Sequence, residues 1–213
     1  MFSIFLYRQG ELRNYFIVYW LYLAFLLLLQ TYVPQDELFL FINGFTTSWL
    51  DYPMNIITFI GSGWFFGLVM GITFYKSREK GLLLLAVYVL TTLIAQGIKH
   101  LYPEIPRPQL FFETIHQTIR IPNGVEVLKL ASFPSGHSTS IFALCTSLAF
   151  LFQSKKLHLI FLAIAIVVAL SRVYVAAHFF KDITAGMFIG AECAALCILI
   201  YKTIQRRGLE QKP

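Results

Sequence analysis

Long apolar runs separated by short charged connections dominate the chain. Six of them are long enough to cross a bilayer, which takes about 20 residues. They run from Tyr15 to Tyr32, Ile56 to Tyr75, Gly81 to His100, Phe133 to Phe152, Leu157 to Ala177 and Asp182 to Thr203. The pattern predicts an all-α fold, a six-span transmembrane helical bundle forming a single membrane-embedded domain over residues 1–213. Between the first two runs lies PQDELFLFINGFTTSWLDYP, too polar to span, whose aromatic and apolar positions suit an interfacial helix at the membrane surface. The longest connection, Leu101 to Ser132, is long enough to form a lid. Gly63, Gly67 and Gly71 in the second span, and Gly186 and Gly190 in the sixth, predict small faces for close helix packing. Glu192 lies within the sixth span and is costly there unless paired or beside a polar cavity.

Composition makes the membrane assignment firm. Hydrophobic residues are 57% of the chain and charged residues 13%, with a mean hydropathy of +0.67, which excludes an ordinary soluble domain. Lysine and arginine number 17 against 11 acidic residues. In a membrane protein this balance argues topology rather than nucleic-acid binding. If six spans alternate, Arg8, Arg13, Lys76, Arg78, Lys80, Lys155, Lys156, Lys202, Arg206, Arg207 and Lys212 share one side, 11 of the 17 basic residues. The positive-inside rule makes that side cytoplasmic, with both termini, in a cell (inner) membrane. The N-terminal MFSIFLYRQGELRNY lacks the small-residue cleavage site of a signal peptide, so the first span is expected to be retained. Cys145, Cys193 and Cys197 fall in apolar runs and read as small buried hydrophobes.

Candidate chemistry concentrates on the opposite side. In Ser171 to Asp182, SRVYVAAHFFKD, a helical reading puts His178 and Asp182 four residues apart on one face. The carboxylate would hold one imidazole nitrogen and leave the other free to attack. Arg172, two turns earlier, is a planar fork suited to phosphate oxygens. Each residue also has a plainer reading: an interfacial histidine satisfied by its neighbours, and an arginine snorkelling to headgroups. A His–Asp metal site is a further alternative, but Arg172 would repel a cation.

Two more stretches reach the same face. SFPSGHS, Ser132 to Ser138, opens the fourth span, with Pro134 in a first helical turn and the amides of Ser135, Gly136 and His137 pointing outward. That is an anion site, and Gly136 leaves the backbone open to an oxyanion. KHLYPEIPRP supplies Lys99 at the end of the third span and Arg107 in the loop beyond. Three separate segments thus deliver two histidines, one aspartate and three cations to one interface.

These residues resemble the three signature motifs of the type 2 phosphatidic acid phosphatase family, the PAP2 superfamily of integral-membrane lipid phosphatases. Lys99 to Pro108 resembles the first, Pro134-Ser135-Gly136-His137 the second, and Ser171-Arg172 with His178 and Asp182 the third. The second and third match in full. The first departs: seven residues separate Lys99 from Arg107, where the family usually has six.

The resemblance implies a phosphatase that uses no metal and no cofactor. His178 would be the nucleophile, Asp182 its orienting carboxylate, and His137 the general acid and then base. Lys99, Arg107, Ser135, Gly136 and Arg172 would bind the phosphoryl oxygens. The expected partners are membrane lipids, including a lipid phosphate substrate at the extracytoplasmic face, with undecaprenyl diphosphate as first choice. Phosphatidylglycerophosphate, phosphatidate and lipid A are the alternatives. Arg120 and Lys129 either recognise a second phosphate or sugar or are solvated loop charges. A vanadate-dependent haloperoxidase would share the constellation, but six apolar spans count against it. A lipid-phosphate binder or flippase would need the cations but not a nucleophile. Nothing in the sequence sets an oligomeric state.

Overall fold

The computed structural model describes residues 3, 10, 12–125 and 128–210. Arg8 and Lys212, two of the basic residues assigned to the cytoplasmic side, lie outside the described residues. The described residues form helices and connections without strands: α1 (Arg13–Tyr32), α2 (Gln35–Asn43), α3 (Ser48–Ile60), α4 (Gly63–Lys76), α5 (Arg78–Leu101), α6 (Pro108–Thr114), α7 (Gly136–Phe152), α8 (Lys155–Tyr174) and α9 (Phe180–Glu210). By length and composition α1, α5, α8 and α9 can each cross a membrane. The pair α3 and α4 makes a fifth candidate span, bent by 51° at its break, and α7 is a shorter apolar helix.

The second span therefore differs from the expected Ile56–Tyr75 helix. Its first half begins at Ser48, inside the stretch read as interfacial, and that stretch is divided between α2 and α3. The break sits at Gly61 and Ser62. Gly61 ends α3, and the Ser62 hydroxyl accepts from the Phe65 amide at 3.2 Å to start α4. A Cβ on Gly61 would lie 2.8 Å from Val168 Cγ1 and 3.1 Å from His137 Cβ, so the break presses against the chemistry-bearing end of the bundle.

Helix α7 is the centre, packed by α4, α5, α8 and α9. Residues on all its faces are buried, from Ile141 and Phe142 to Cys145, Thr146 and Ala149, as expected for a helix apolar all round. Lipid gives helices no hydrophobic reason to associate, so close approach and interhelical hydrogen bonds hold the bundle. Gly186 and Gly190 on α9 supply the approach: a Cβ on Gly186 would lie 2.6 Å from the Ser135 carbonyl, and Gly190 abuts the Thr139 carbonyl. Gly67 and Gly71 do not play this part, since a Cβ on either would meet nothing within 4 Å. Tyr15 and Thr146 hydroxyls meet at 2.8 Å across α1 and α7. Glu192 is buried and accepts hydrogen bonds from the Ser3 amide and the Ser3 hydroxyl.

Candidate active site

The helix directions place all the predicted residues at one end. Lys99 lies in the last turn of α5, α7 starts at Gly136, Arg172 lies in the last turn of α8 and Asp182 in the first turn of α9. Arg78, Lys80, Lys155, Lys156, Lys202, Arg206 and Arg207 fall toward the other end of α5, α8 and α9, and Arg13 and Lys76 at the start of α1 and the end of α4.

His178 is not helical, contrary to the expected continuous face. Helix α8 closes in a Schellman turn: the Ala177 amide donates to the Arg172 carbonyl at 3.0 Å and the Ala176 amide to the Val173 carbonyl at 3.0 Å. Ala176 takes the left-handed position at φ 54°. The reversal returns the His178 amide to the Arg172 carbonyl, at 3.2 Å, so arginine and histidine meet through a turn rather than through helical periodicity. Asp182 then enters from the first turn of α9.

The two side chains are enclosed, with 2% and 0% of their surface exposed. His178 Nδ1 lies 3.4 Å from Asp182 Oδ2, within ion-pair reach but without hydrogen-bond geometry. Oδ2 instead accepts from the Ser132 hydroxyl at 2.5 Å and the Phe179 amide at 2.9 Å. On the other edge of the ring, Arg107 Nη1 lies 3.5 Å from Nε2. A guanidinium only donates, so this contact fits an unprotonated Nε2 with the ring proton on Nδ1, toward Asp182. Burial holds the His178 imidazole well below its ordinary value, down to about 3; Asp182 opposes this, and Arg172 and Arg107 reinforce it. Burial and the Arg107 contact thus both favour a neutral imidazole with Nε2 toward the cation.

Arg107 is buried and pinned from several sides. Its Nε donates to the Leu130 carbonyl at 2.9 Å, Nη1 to the Ala177 carbonyl at 3.2 Å and Nη2 to the Ala131 carbonyl at 3.4 Å. The loop that carries it is zipped to itself by bonds from the Arg107 amide to the Lys129 carbonyl and from the Ser132 amide to the Ile105 carbonyl. Lys99 Nζ reaches the same Ala131 carbonyl at 2.7 Å, so the extra residue between the two cations does not carry Lys99 away. Arg172 donates through Nη1 to Thr58 Oγ1 at 2.6 Å, while its buried Nε has no partner among the described residues.

The turn before α7 departs from expectation in two details. Pro134 precedes the N-cap rather than sitting in the first turn, and the bond joining Phe133 to it is cis. The Ser135 amide is spent on the Asp182 carbonyl at 3.0 Å, so it does not face a ligand. Its side chain caps α7, accepting from the Ser138 amide at 3.3 Å and the Ser138 hydroxyl at 3.0 Å. The amides of Gly136 and His137, at the first two helical positions, remain without intrahelical acceptors, and a Cβ on Gly136 would meet open space. His137 feels the charges of Arg172, Arg107 and Lys99 and the neighbouring His178.

Two cations expected as possible substrate contacts are committed elsewhere. Arg120 pairs with Asp51 through Nη1 at 2.9 Å and Nη2 at 2.6 Å, and Lys129 pairs with Glu113 at 2.9 Å. Sequence reasoning passed over Ser132 and Thr58 as site residues. Ser132 opens the quoted SFPSGHS stretch, which was a signal in hand; Thr58 lies in an apolar run with no local mark.

Two histidines, an aspartate and three cations thus gather at one end of the bundle. The PAP2 superfamily model matches residues 80–206, which include every one of those side chains. The chain belongs to the PAP2 superfamily. It is a membrane phosphatase of that superfamily, similar to the phosphatidylglycerophosphatase B of Bacillus subtilis, at 31% identity over 67% of this chain and 70% of that protein. It is also similar to the undecaprenyl-diphosphatase of Sulfolobus acidocaldarius, at 25% identity over 94% of this chain and 98% of that one. Among solved structures, Aquifex aeolicus LpxE superposes with a TM-score of 0.69 at 25% identity, covering 78% of this chain and 95% of LpxE. Thr58 and Asp51 lie before the part matched to the superfamily.

Proposed function

We propose that the protein hydrolyses the phosphate monoester of a membrane lipid through a phosphohistidine on His178. The observation that carries the reading is the 3.5 Å approach of Arg107 Nη1 to His178 Nε2, which a neutral Nε2 acceptor fits, with Lys99 and Arg172 beside it. Nε2 attacks phosphorus while the bond from phosphorus to the alcohol oxygen breaks, and His137 gives that oxygen its proton. Water then attacks phosphorus, His137 takes its proton, and the phosphorus–nitrogen bond breaks to free His178. Asp182, held by Ser132 and the Phe179 amide, supports the imidazolium formed in between. Lys99, Arg107, Arg172 and the amides of Gly136 and His137 stabilise the charge on the phosphoryl oxygens.

A single phosphate is favoured because Arg120 and Lys129 are each neutralised by a carboxylate and leave no spare pair of cations for a second one. Undecaprenyl diphosphate stands as the second reading, favoured by the relative of that activity that aligns over nearly the whole of both chains. The basic residues gathered toward the other end support cytoplasmic termini, an extracytoplasmic site and six crossings with α7 counted as one.

The test is phosphate release by purified wild type and His178→Ala, in EDTA, from phosphatidylglycerophosphate, phosphatidate, lipid A and undecaprenyl diphosphate. Release by wild type alone from a monoester is expected. Release only from the diphosphate moves the assignment to the second reading, and release by His178→Ala overturns the mechanism.

A further inference from the structure

A cavity of about 210 Å³ lies beside Gly136 and His137 at the start of α7. It touches Gly136 and His137 but none of His178, Asp182, Lys99, Arg107 or Arg172. If His137 protonates the departing oxygen, this is the side on which the leaving alcohol lies.

Its walls are unusually polar for a space between membrane helices. Tyr88, Thr92 and Gln96 are spaced four residues apart and form one stripe along α5, which climbs toward Lys99 over roughly 12 Å. Ser140 faces them from α7. Neighbouring hydroxyls in these helices bond their own backbone. Thr91 does so, to the Val87 carbonyl at 2.7 Å, and so does Thr139, to the Ser135 carbonyl at 2.9 Å. The side chains of Thr92, Gln96 and Ser140 make no hydrogen bond to any described residue, and Thr92 and Gln96 are exposed at the flank of the bundle. Unspent amide and hydroxyl groups are costly in hydrocarbon. A plain hydrocarbon chain lying there would leave them unpaired. An alcohol with oxygen atoms beside its phosphate would pair them.

We propose that this cavity holds the backbone of the leaving alcohol, and that Gln96, Thr92 and Ser140 select lipids bearing ester carbonyls or hydroxyls next to the scissile phosphate over plain prenyl phosphates. The selection works by the difference between paired and unpaired polar groups, so it discriminates against substrates that lack the oxygens.

The inference rests on the phosphatase reading above, and the experiment separates the two. The kcat/KM of wild type, Gln96→Leu, Thr92→Val and Ser140→Ala is measured on dioctanoyl phosphatidate and on farnesyl phosphate. Phosphate release from either by wild type and not by His178→Ala upholds the phosphatase reading; release from neither overturns the selection proposed here and leaves the phosphatase reading to the four-lipid assay above. Wild type is expected to prefer phosphatidate, and Gln96→Leu to lower the phosphatidate-to-farnesyl ratio about tenfold, the usual effect of one lost hydrogen bond. Thr92→Val keeps the side-chain shape and is expected to lower the ratio even where Gln96→Leu fails to fold. An unchanged ratio in Thr92→Val and Ser140→Ala, including equal losses on both substrates, overturns the assignment of the cavity while leaving the phosphatase intact.

Discussion

Arg172 Nη1 donates to Thr58 Oγ1 at 2.6 Å, which ties a cation of the proposed phosphate site to a helix outside the region matched to the superfamily. A guanidinium held at one corner presents its remaining donors in a fixed direction. Thr58→Val keeps the volume and removes the acceptor. It is expected to raise KM and lower kcat/KM by roughly tenfold, the scale of one hydrogen bond to a charged group. Thr58→Ser should restore most of the loss. Wild-type kinetics in the valine variant would show that Arg172 needs no such anchor.

The Ser132–Asp182–His178 chain makes a graded prediction. His178→Ala removes the nucleophile and Asp182→Asn removes the charge that supports the imidazolium, so each is expected to lower kcat by about a thousandfold or more. Ser132→Ala leaves the Phe179 amide on the same oxygen and is expected to cost only about tenfold. The readout is single-turnover phosphate release with acid-quenched detection of phosphohistidine. Accumulation of that adduct in His178→Ala would disprove the assignment of the nucleophile.

The sequence carried the candidate residues that gather at one end of the bundle, but not all the reasons they meet. His137, Arg172, His178 and Asp182 stand in short segments, and each segment's end could be placed by where its apolar run stops. The turn joining Arg172 to His178 was not legible, because the left-handed position is filled by Ala176, where glycine is the usual signal. The interruption of the second span was hidden for a similar reason. Gly61 and Ser62 look like tolerable small residues in an apolar run until the close approach to Val168 and His137 is known. Equal glycine spacing gave opposite outcomes, with Gly186 and Gly190 against α7 and Gly67 and Gly71 against nothing, since spacing does not say which face finds a partner. Ser132 and Thr58 act across 50 and 114 positions of sequence, where local pattern has no reach.

The loop that delivers Arg107 is latched at a second point. Arg120 pairs with Asp51, and its amide and carbonyl are both bonded to the side chain of Asn43; Tyr174, on α8, donates to the same Asp51 at 3.2 Å. Asp51→Ala should therefore loosen the loop, raising protease cleavage between residues 101 and 132 and lowering kcat/KM together. Arg120→Ala should do the same. The double variant should be no worse than Asp51→Ala alone, because residues sharing one interaction are not additive. Fully additive losses would show that the two side chains act separately.

Acid stability reports the state of His178 directly. Burial lowers its folded value to about 3, against 6.5 for the ordinary group. Below 6.5 the unfolded chain binds a proton that the folded chain refuses, so the contribution is complete above 6.5 and is lost as pH falls toward 3. At pH 5 the loss spans one and a half pH units at about 1.4 kcal/mol each, or about 2 kcal/mol. His178→Gln removes that proton and its cost. The thermal unfolding midpoint of the glutamine variant in detergent is expected to fall less than that of wild type between pH 7 and pH 5. Equal falls would mean that the folded His178 takes up a proton as readily as an ordinary exposed histidine, and the buried, proton-refusing nucleophile would have to be abandoned.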